Sequence, residues 1–191
     1  MWNVAEDGWV QEATRCPSAH FNARPTDTDI SLLVIHNISL PPGQFGGGYV
    51  QSFFSGTLDP SLHPYFQEIK DLRVSAHFLI ERCGRLTQFV SCLARAWHAG
   101  SSRHGGRDQC NDFSIGVELE GTDDTPFTDH QYRALTDLTR ALMYRYPDIT
   151  PYRITGHEHI APQRKTDPGR CFDWQRYLAS VVDRPGEGIK R

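Results

Sequence analysis

No stretch of this sequence has the roughly 18 consecutive apolar residues that a membrane-spanning helix needs. Residues Met1 to Asn22 carry acids and tryptophan rather than a basic segment followed by an apolar one, so no secretion leader is expected. The five cysteines (Cys16, Cys83, Cys92, Cys110 and Cys171) include no CxxC pair, and their odd number argues against a disulfide framework. Free thiols in a reducing cytoplasm are the expectation, most of them acting as small, partly buried apolar residues. The formal charge is only -3, and no basic cluster marks a nucleic-acid-binding face. Internal repeats and low-complexity segments are missing as well. Membrane-spanning, disulfide-stapled and nucleic-acid-binding classes are thereby set aside, and nothing points to an obligate protein partner.

What is present is an ordinary globular composition. The chain has 191 residues, 38% hydrophobic and 23% charged. That length suits one domain with its own core, expected over residues 1–183, with the Pro/Gly/charge-rich segment 184–191 as a flexible C-terminal tail.

Short apolar runs at Ser31–His36, Ser75–Ile80 and Leu86–Val90 predict strands, with Glu81–Arg85 as a hairpin loop between the last two. Phe113–Glu120 alternates strictly. Phe113, Ile115, Val117 and Leu119 share one face, and Ser114, Gly116, Glu118 and Glu120 the other. The clearest helix runs from Thr128, a capping residue, to Tyr146, with Tyr132, Leu135, Leu138 and Leu142 at helical spacing and Pro147 as the stop. Gly48–Ser55 and Phe172–Val182 are shorter helix candidates. Leu40–Gly48 and Ala99–Asn111, rich in glycine, read as long loops of the kind that carry binding. The expected fold class is α/β: a single domain with a mixed central β-sheet flanked by helices.

Nine histidines are many for this length. His36 closes an apolar strand, a rigid mount from which a side chain can enter a cleft. His157 is followed ten residues later by Asp167. Together they would make a His/His/Asp set, and three N/O ligands with one open position is the pattern of catalytic zinc. Spacing alone leaves open a solvated loop with incidental histidine and aspartate. It also leaves open a His157–His159 pair, and it does not choose between Glu118 and Glu120.

The strings SLLVIHNISLPPGQFGG, HPYF, VSAHFLIER, RAWHAG, CNDFSIGVELEGTD, TGH and IAPQRKTDPG, followed by FDW, occur in one order from about Gly8 to Tyr177. By these strings the chain resembles the AmpD-type N-acetylmuramoyl-L-alanine amidases, within the zinc amidase superfamily that also holds the peptidoglycan recognition proteins. The resemblance implies that fold and one zinc ion per chain, held by His36, His157 and Asp167. It implies Glu118 as catalytic acid/base, Lys165 as stabiliser of the developing oxyanion, and Tyr65 near the metal. Asn37, Arg73 and Trp97 match positions that hold the muropeptide, and Arg107 is expected to meet a stem-peptide carboxylate. The implied substrate is a small 1,6-anhydromuropeptide in the bacterial cytoplasm, with consequences for wall recycling and β-lactamase induction. His77 and His98 are expected to line the cleft or to bond the scaffold, and His20, His104 and His130 to lie at the surface. Two other readings are a recognition module without catalysis and a cysteine peptidase built on Cys92 or Cys110.

Overall fold

The computed structural model describes residues 2–183; the tail expected at 184–191 lies outside the described residues. In chain order the elements are β1 (Thr14–Arg15), β2 (Phe21–Ala23), β3 (Leu32–Ile38), α1 (Tyr49–Ser55), α2 (Pro64–Ile69), β4 (Phe78–Ile80), β5 (Leu86–Gln88), β6 (Ala94–Ala96), β7 (Arg103–His104), β8 (Arg107–Asp108), β9 (Ser114–Glu120), α3 (Asp129–Arg145), β10 (Ile154–Gly156), α4 (His157–Ile160) and α5 (Trp174–Val182). Six strands form the central sheet in the order β1-β5-β4-β9-β3-β10. All neighbours run parallel except β4 and β5, whose hairpin makes the sheet mixed, as expected.

Each expected strand and helix is present, most of them trimmed at their ends; β3 instead runs two residues past His36, its expected end, to Ile38. The helix predicted from Thr128 begins with a capping box: Thr128 Oγ1 accepts from the Gln131 N–H, and Gln131 Oε1 accepts from the Thr128 N–H, both at 3.1 Å. Its apolar stripe (Leu135, Leu138 and Leu142) packs with α5 against Leu33, Ile35, Ile115 and Val117 on one face of the sheet. Helix α5 opens at Asp173, whose carboxylate accepts from the Arg176 N–H at 2.9 Å.

The opposite face carries the site. There α1 and α2 cover Leu79, Ala76 and Phe89, and the segment around Ala99, Cys110 and Phe113 covers Leu32 and Val34. Strand β9 is therefore buried on both faces rather than half-solvated. Its alternation separates an apolar face from a buried polar one.

Several elements carry too weak a sequence signal to be expected: the short strands β1, β2 and β6, the hairpin β7–β8 inside the predicted loop Ala99–Asn111, helix α2, and the β10–α4 junction. A half-buried arginine also ties the fold. Arg24 donates to the carbonyls of Cys92, Asn111, Asp112 and Ser114 at 2.8–3.3 Å, and desolvation lowers its pKa to about 10.

Candidate metal centre and active site

Three parallel strands end at one edge of the sheet, the usual place for ligands in α/β folds. There β3 delivers His36, β9 delivers Glu118, and β10 runs directly into α4, whose first residue is His157. A cleft of about 400 Å³ opens over this edge; His36, Glu118, His157, Lys165 and Asp167 line it.

His36 Nδ1, His157 Nδ1 and Asp167 Oδ2 form a triangle. Its edges are 3.0 Å between the histidines, 2.9 Å from His36 to Asp167 and 3.2 Å from His157 to Asp167. The protons decide what this triangle is. His157 Nε2 lies 3.0 Å from the Ala99 carbonyl, which can only accept, so Nε2 carries the ring proton. In the neutral imidazole, Nδ1 then presents a lone pair. That lone pair faces a carboxylate and a second imidazole nitrogen, which is repulsive unless a cation, a proton or a metal ion, sits among the three. Burial lowers the pKa of His36 and so opposes a proton there.

Two nitrogens and one oxygen form a donor set suited to zinc, with a position left open. Ligands on a tetrahedral ion with bonds of about 2.0–2.1 Å stand about 3.3 Å apart, so the slightly tighter triangle fits such an ion. The N–H of His157 donated to a backbone carbonyl is the support that metal-bound imidazoles commonly have. These residues could hold a metal ion.

Glu118 is buried, and its Oε2 has no hydrogen-bond partner among the described residues. Desolvation, with the nearby Asp167 charge, raises its pKa well above the ordinary carboxylate value, against the opposing charge of Lys165. Glu120, two residues on, is engaged elsewhere: its carboxylate accepts from the N–H of Gly46 and that of Arg82. It anchors the glycine-rich loop and does not line the cleft.

Tyr65 from α2, Trp97 and Asn37 line the cleft. Trp97 Nε1 donates to Asn22 Oδ1 at 2.6 Å, which fixes the indole. Asn37 Nδ2 donates to Asp123 Oδ1 at 2.7 Å and to the Pro168 carbonyl at 3.1 Å, bracing the loop that carries Asp167. Gly169 follows in a left-handed conformation (φ 82°), where a Cβ would strike the Asp123 backbone.

Two expected substrate contacts lie outside this lining. Arg73 borders a smaller adjoining pocket with His20 and Lys70, and donates to the Lys70 and Leu72 carbonyls. Arg107 is exposed on β8 with its guanidinium 4.0 Å from the centre of the Phe113 ring. His20, expected at the surface, is half-buried and stacked on Trp97.

The remaining histidines separate cleanly. His77 serves the scaffold: Nδ1 accepts from the Gly116 N–H at 3.0 Å and Nε2 donates to the Ala94 carbonyl at 3.1 Å. His98 both lines the cleft and contacts His36. His159 sits on the helical turn α4, which carries it away from His157 and leaves it exposed beside Glu158 and Trp174. A strand would have put the two histidines on one face; the turn does not. Neither Cys92, with a thiol pKa pushed up by burial to about 12, nor Cys110 lines the cleft, which leaves the cysteine-peptidase reading without a nucleophile.

Residues 26–170 match the sequence family described as N-acetylmuramoyl-L-alanine amidase. The chain is 60% identical over 176 residues to the 1,6-anhydro-N-acetylmuramyl-L-alanine amidase AmpD of Haemophilus influenzae, covering 92% of this chain and 96% of that one. It is 57% identical over 178 residues to the protein of that name from Escherichia coli, covering 93% and 97%. A crystal structure of a selenomethionine derivative of AmpD superposes with a TM-score of 0.90 at 56% identity, covering 93% of this chain and 98% of that one. The amidase AmiD of Escherichia coli, solved with the substrate anhydro-N-acetylmuramic acid-L-Ala-D-gamma-Glu-L-Lys, gives 0.60 at 28% identity, covering 95% and 66%. A site of this build on this sheet defines a hydrolase of the amidase type, and the chain belongs to the N-acetylmuramoyl-L-alanine amidase family. Among the described residues, no helix is long and apolar enough to cross a membrane.

Proposed function

We propose that this chain hydrolyses the lactyl amide bond between 1,6-anhydro-N-acetylmuramic acid and L-alanine in muropeptides, with one zinc ion held by His36, His157 and Asp167. The convergence of their three ligating atoms beside the buried Glu118 carries this reading. The substrates named for AmpD and AmiD support the choice of bond.

When bound, zinc supplies Lewis acidity, polarising the carbonyl and acidifying water. The protein's own groups do the rest. Glu118 takes a proton from the attacking water. Its raised pKa suits it to carry that proton and release it to the alanine nitrogen as the C–N bond breaks. The products are a muramic carboxylate and a free peptide amine. Lys165 presents its ammonium to the carbonyl oxygen as negative charge builds there, and Tyr65 borders the same space. Trp97 offers an aromatic wall for the sugar or stem, and Asn37 keeps its Oδ1 for a peptide N–H. Arg73 and Arg107, farther out, would reach the carboxylates of a longer stem peptide.

Residues 1–183 act as one amidase domain in this reading. The role is cytoplasmic recycling of imported wall fragments, which also lowers the muropeptide signal for β-lactamase induction. Likeness to the AmpD enzymes supports this. The substrate is a small molecule; neither nucleic acid, a membrane nor an obligate protein partner is invoked.

Incubation with anhydro-N-acetylmuramyl-tripeptide in ¹⁸O-labelled water, read by mass spectrometry, tests the bond. Free tripeptide with the label in the muramic carboxylate supports the reading. An intact substrate, or label in the peptide, overturns it.

A further inference from the structure

The His98–Ala99 dipeptide touches both histidines of the centre. The Ala99 carbonyl accepts from His157 Nε2 at 3.0 Å, and His98 Nδ1 lies 2.9 Å from His36 Nε2. The dipeptide is itself pinned: the backbone N–H groups of His98 and Ala99 both donate to Asn111 Oδ1, at 3.1 and 2.8 Å, and Asn111 is buried. The other nitrogen of His98, Nε2, lies 3.2 Å from Ser114 Oγ.

These contacts have one consistent proton arrangement. His36 can point a lone pair from Nδ1 at Asp167 and His157 only if its proton is on Nε2. His98 must then accept at Nδ1 and carry its own proton on Nε2, where the Ser114 hydroxyl can accept it. The sequence also reserves room for the ring. Gly116 lies mid-strand in β9, where glycine is ordinarily a cost. A Cβ there would come within 2.5 Å of His98 Cγ and Nδ1.

We propose that His98 is a positioning residue: by accepting the Nε2 proton of His36, it holds that imidazole with its Nδ1 lone pair facing the metal position, with Ser114 and Gly116 as its seat. This rests on the reading of His36 as a zinc ligand. His98 touches the metal only through His36, so its loss acts first on metal affinity. Supporting partners of this kind change metal affinity by about 10–100-fold when removed.

The test is a zinc titration of the full chain against a chromophoric chelator, for the wild type, His98→Ala, His98→Gln, Ser114→Ala and His36→Ala, with apo-protein melting followed in parallel. His98→Ala should weaken zinc binding by 10–100-fold with its apo melting temperature little changed. His98→Gln, whose amide can accept from His36 and donate to Ser114, should recover most of the loss. Zinc affinity of His98→Ala within twofold of wild type overturns the proposal. Should His98→Ala fail to fold, Ser114→Ala reads the same seat, with a several-fold loss expected and no change contradicting it. Long-range ¹H–¹⁵N correlation on the zinc-loaded wild type should find the His36 proton on Nε2; a proton on Nδ1 overturns the proposal without any variant. A wild type that binds no more zinc than His36→Ala removes the metal centre itself, and the role of His98 with it.

Discussion

His36 and Glu118 are register partners across the parallel strands β3 and β9, on the same face of the sheet. Neighbouring strands lie about 4.8 Å apart, so the histidine proposed to bind metal and the acid proposed to move protons stand side by side by virtue of pairing alone. Two residues on, Glu120 pairs with Ile38 and is spent on the loop at Gly46. Two residues along the strand separate an acid whose Oε2 has no partner among the described residues from an acid with two.

That separation predicts the behaviour of Glu118→Gln. Turnover should fall by about 10²–10⁴, the usual yield of general acid–base catalysis, while zinc content stays near one per chain. Steady-state kinetics with elemental analysis checks both; near-normal turnover would remove Glu118 from its role.

Glu120→Ala should behave in the opposite way. It strands the half-buried N–H groups of Gly46 and Arg82, so stability should drop by about 1–3 kcal/mol. The turnover of the folded fraction should stay within tenfold of wild type. Urea unfolding and active-site-normalised kinetics separate the two effects, and a loss of turnover matching that of Glu118→Gln would refute the division of labour.

Asp167→Asn keeps the shape of the side chain but removes its charge. Zinc affinity should fall by more than tenfold, as measured by competition with a chelator. Retention of wild-type affinity would exclude Asp167 as a ligand.

Arg24→Met should cost more than about 3 kcal/mol, because four carbonyls lose their donor at once. Arg24→Lys should rescue little, since a single ammonium cannot reproduce the planar fork. Chemical denaturation measures both, and full stability in the lysine variant would contradict the account.

His77 sets a pH dependence of stability. Burial lowers its pKa to about 3 in the fold, against about 6.5 for an exposed histidine. Between those values the unfolded chain binds a proton that the folded chain refuses, so stability falls as pH drops below about 6.5 and this contribution levels off near 3. The slope from this one group is about 1.4 kcal/mol per pH unit. His77→Gln, which can still accept from Gly116 and donate to Ala94, should flatten the acid limb in urea titrations. An unchanged slope would mean that other groups carry it.

Much of this molecule is legible in the sequence because its signals are local and periodic. The capped stripe of α3 and the alternation of β9 from Ser114 to Glu120 emerge as drawn, since each depends on residues a few positions apart; Phe113, expected on the face of Ile115, lies before the strand and packs with Leu32 and Val34 on the other face. The triangle at the cleft is legible only through resemblance, because His36 and His157 are 121 positions apart and meet through the pairing of β10 with β3. The support beneath it gives no sequence signal. Arg24 belongs to no motif, Asn111 reads as the end of a loop, and Gly116 as one position on the polar face of a strand. Each has its meaning from groups beyond the reach of local pattern, 12 residues or more away. Arg107, expected in a loop to meet a stem-peptide carboxylate, is carried by hairpin β7–β8 with its guanidinium over Phe113.

The central claim, that a metal held by His36, His157 and Asp167 drives cleavage of the muramoyl–alanine amide, is tested most directly by one cycle of chelation and zinc add-back. Release of tripeptide from anhydro-N-acetylmuramyl-tripeptide should stop with chelator and return in proportion to zinc, saturating at one equivalent per chain. Undiminished release from metal-free protein, or none from folded protein carrying a full equivalent of zinc, would contradict it.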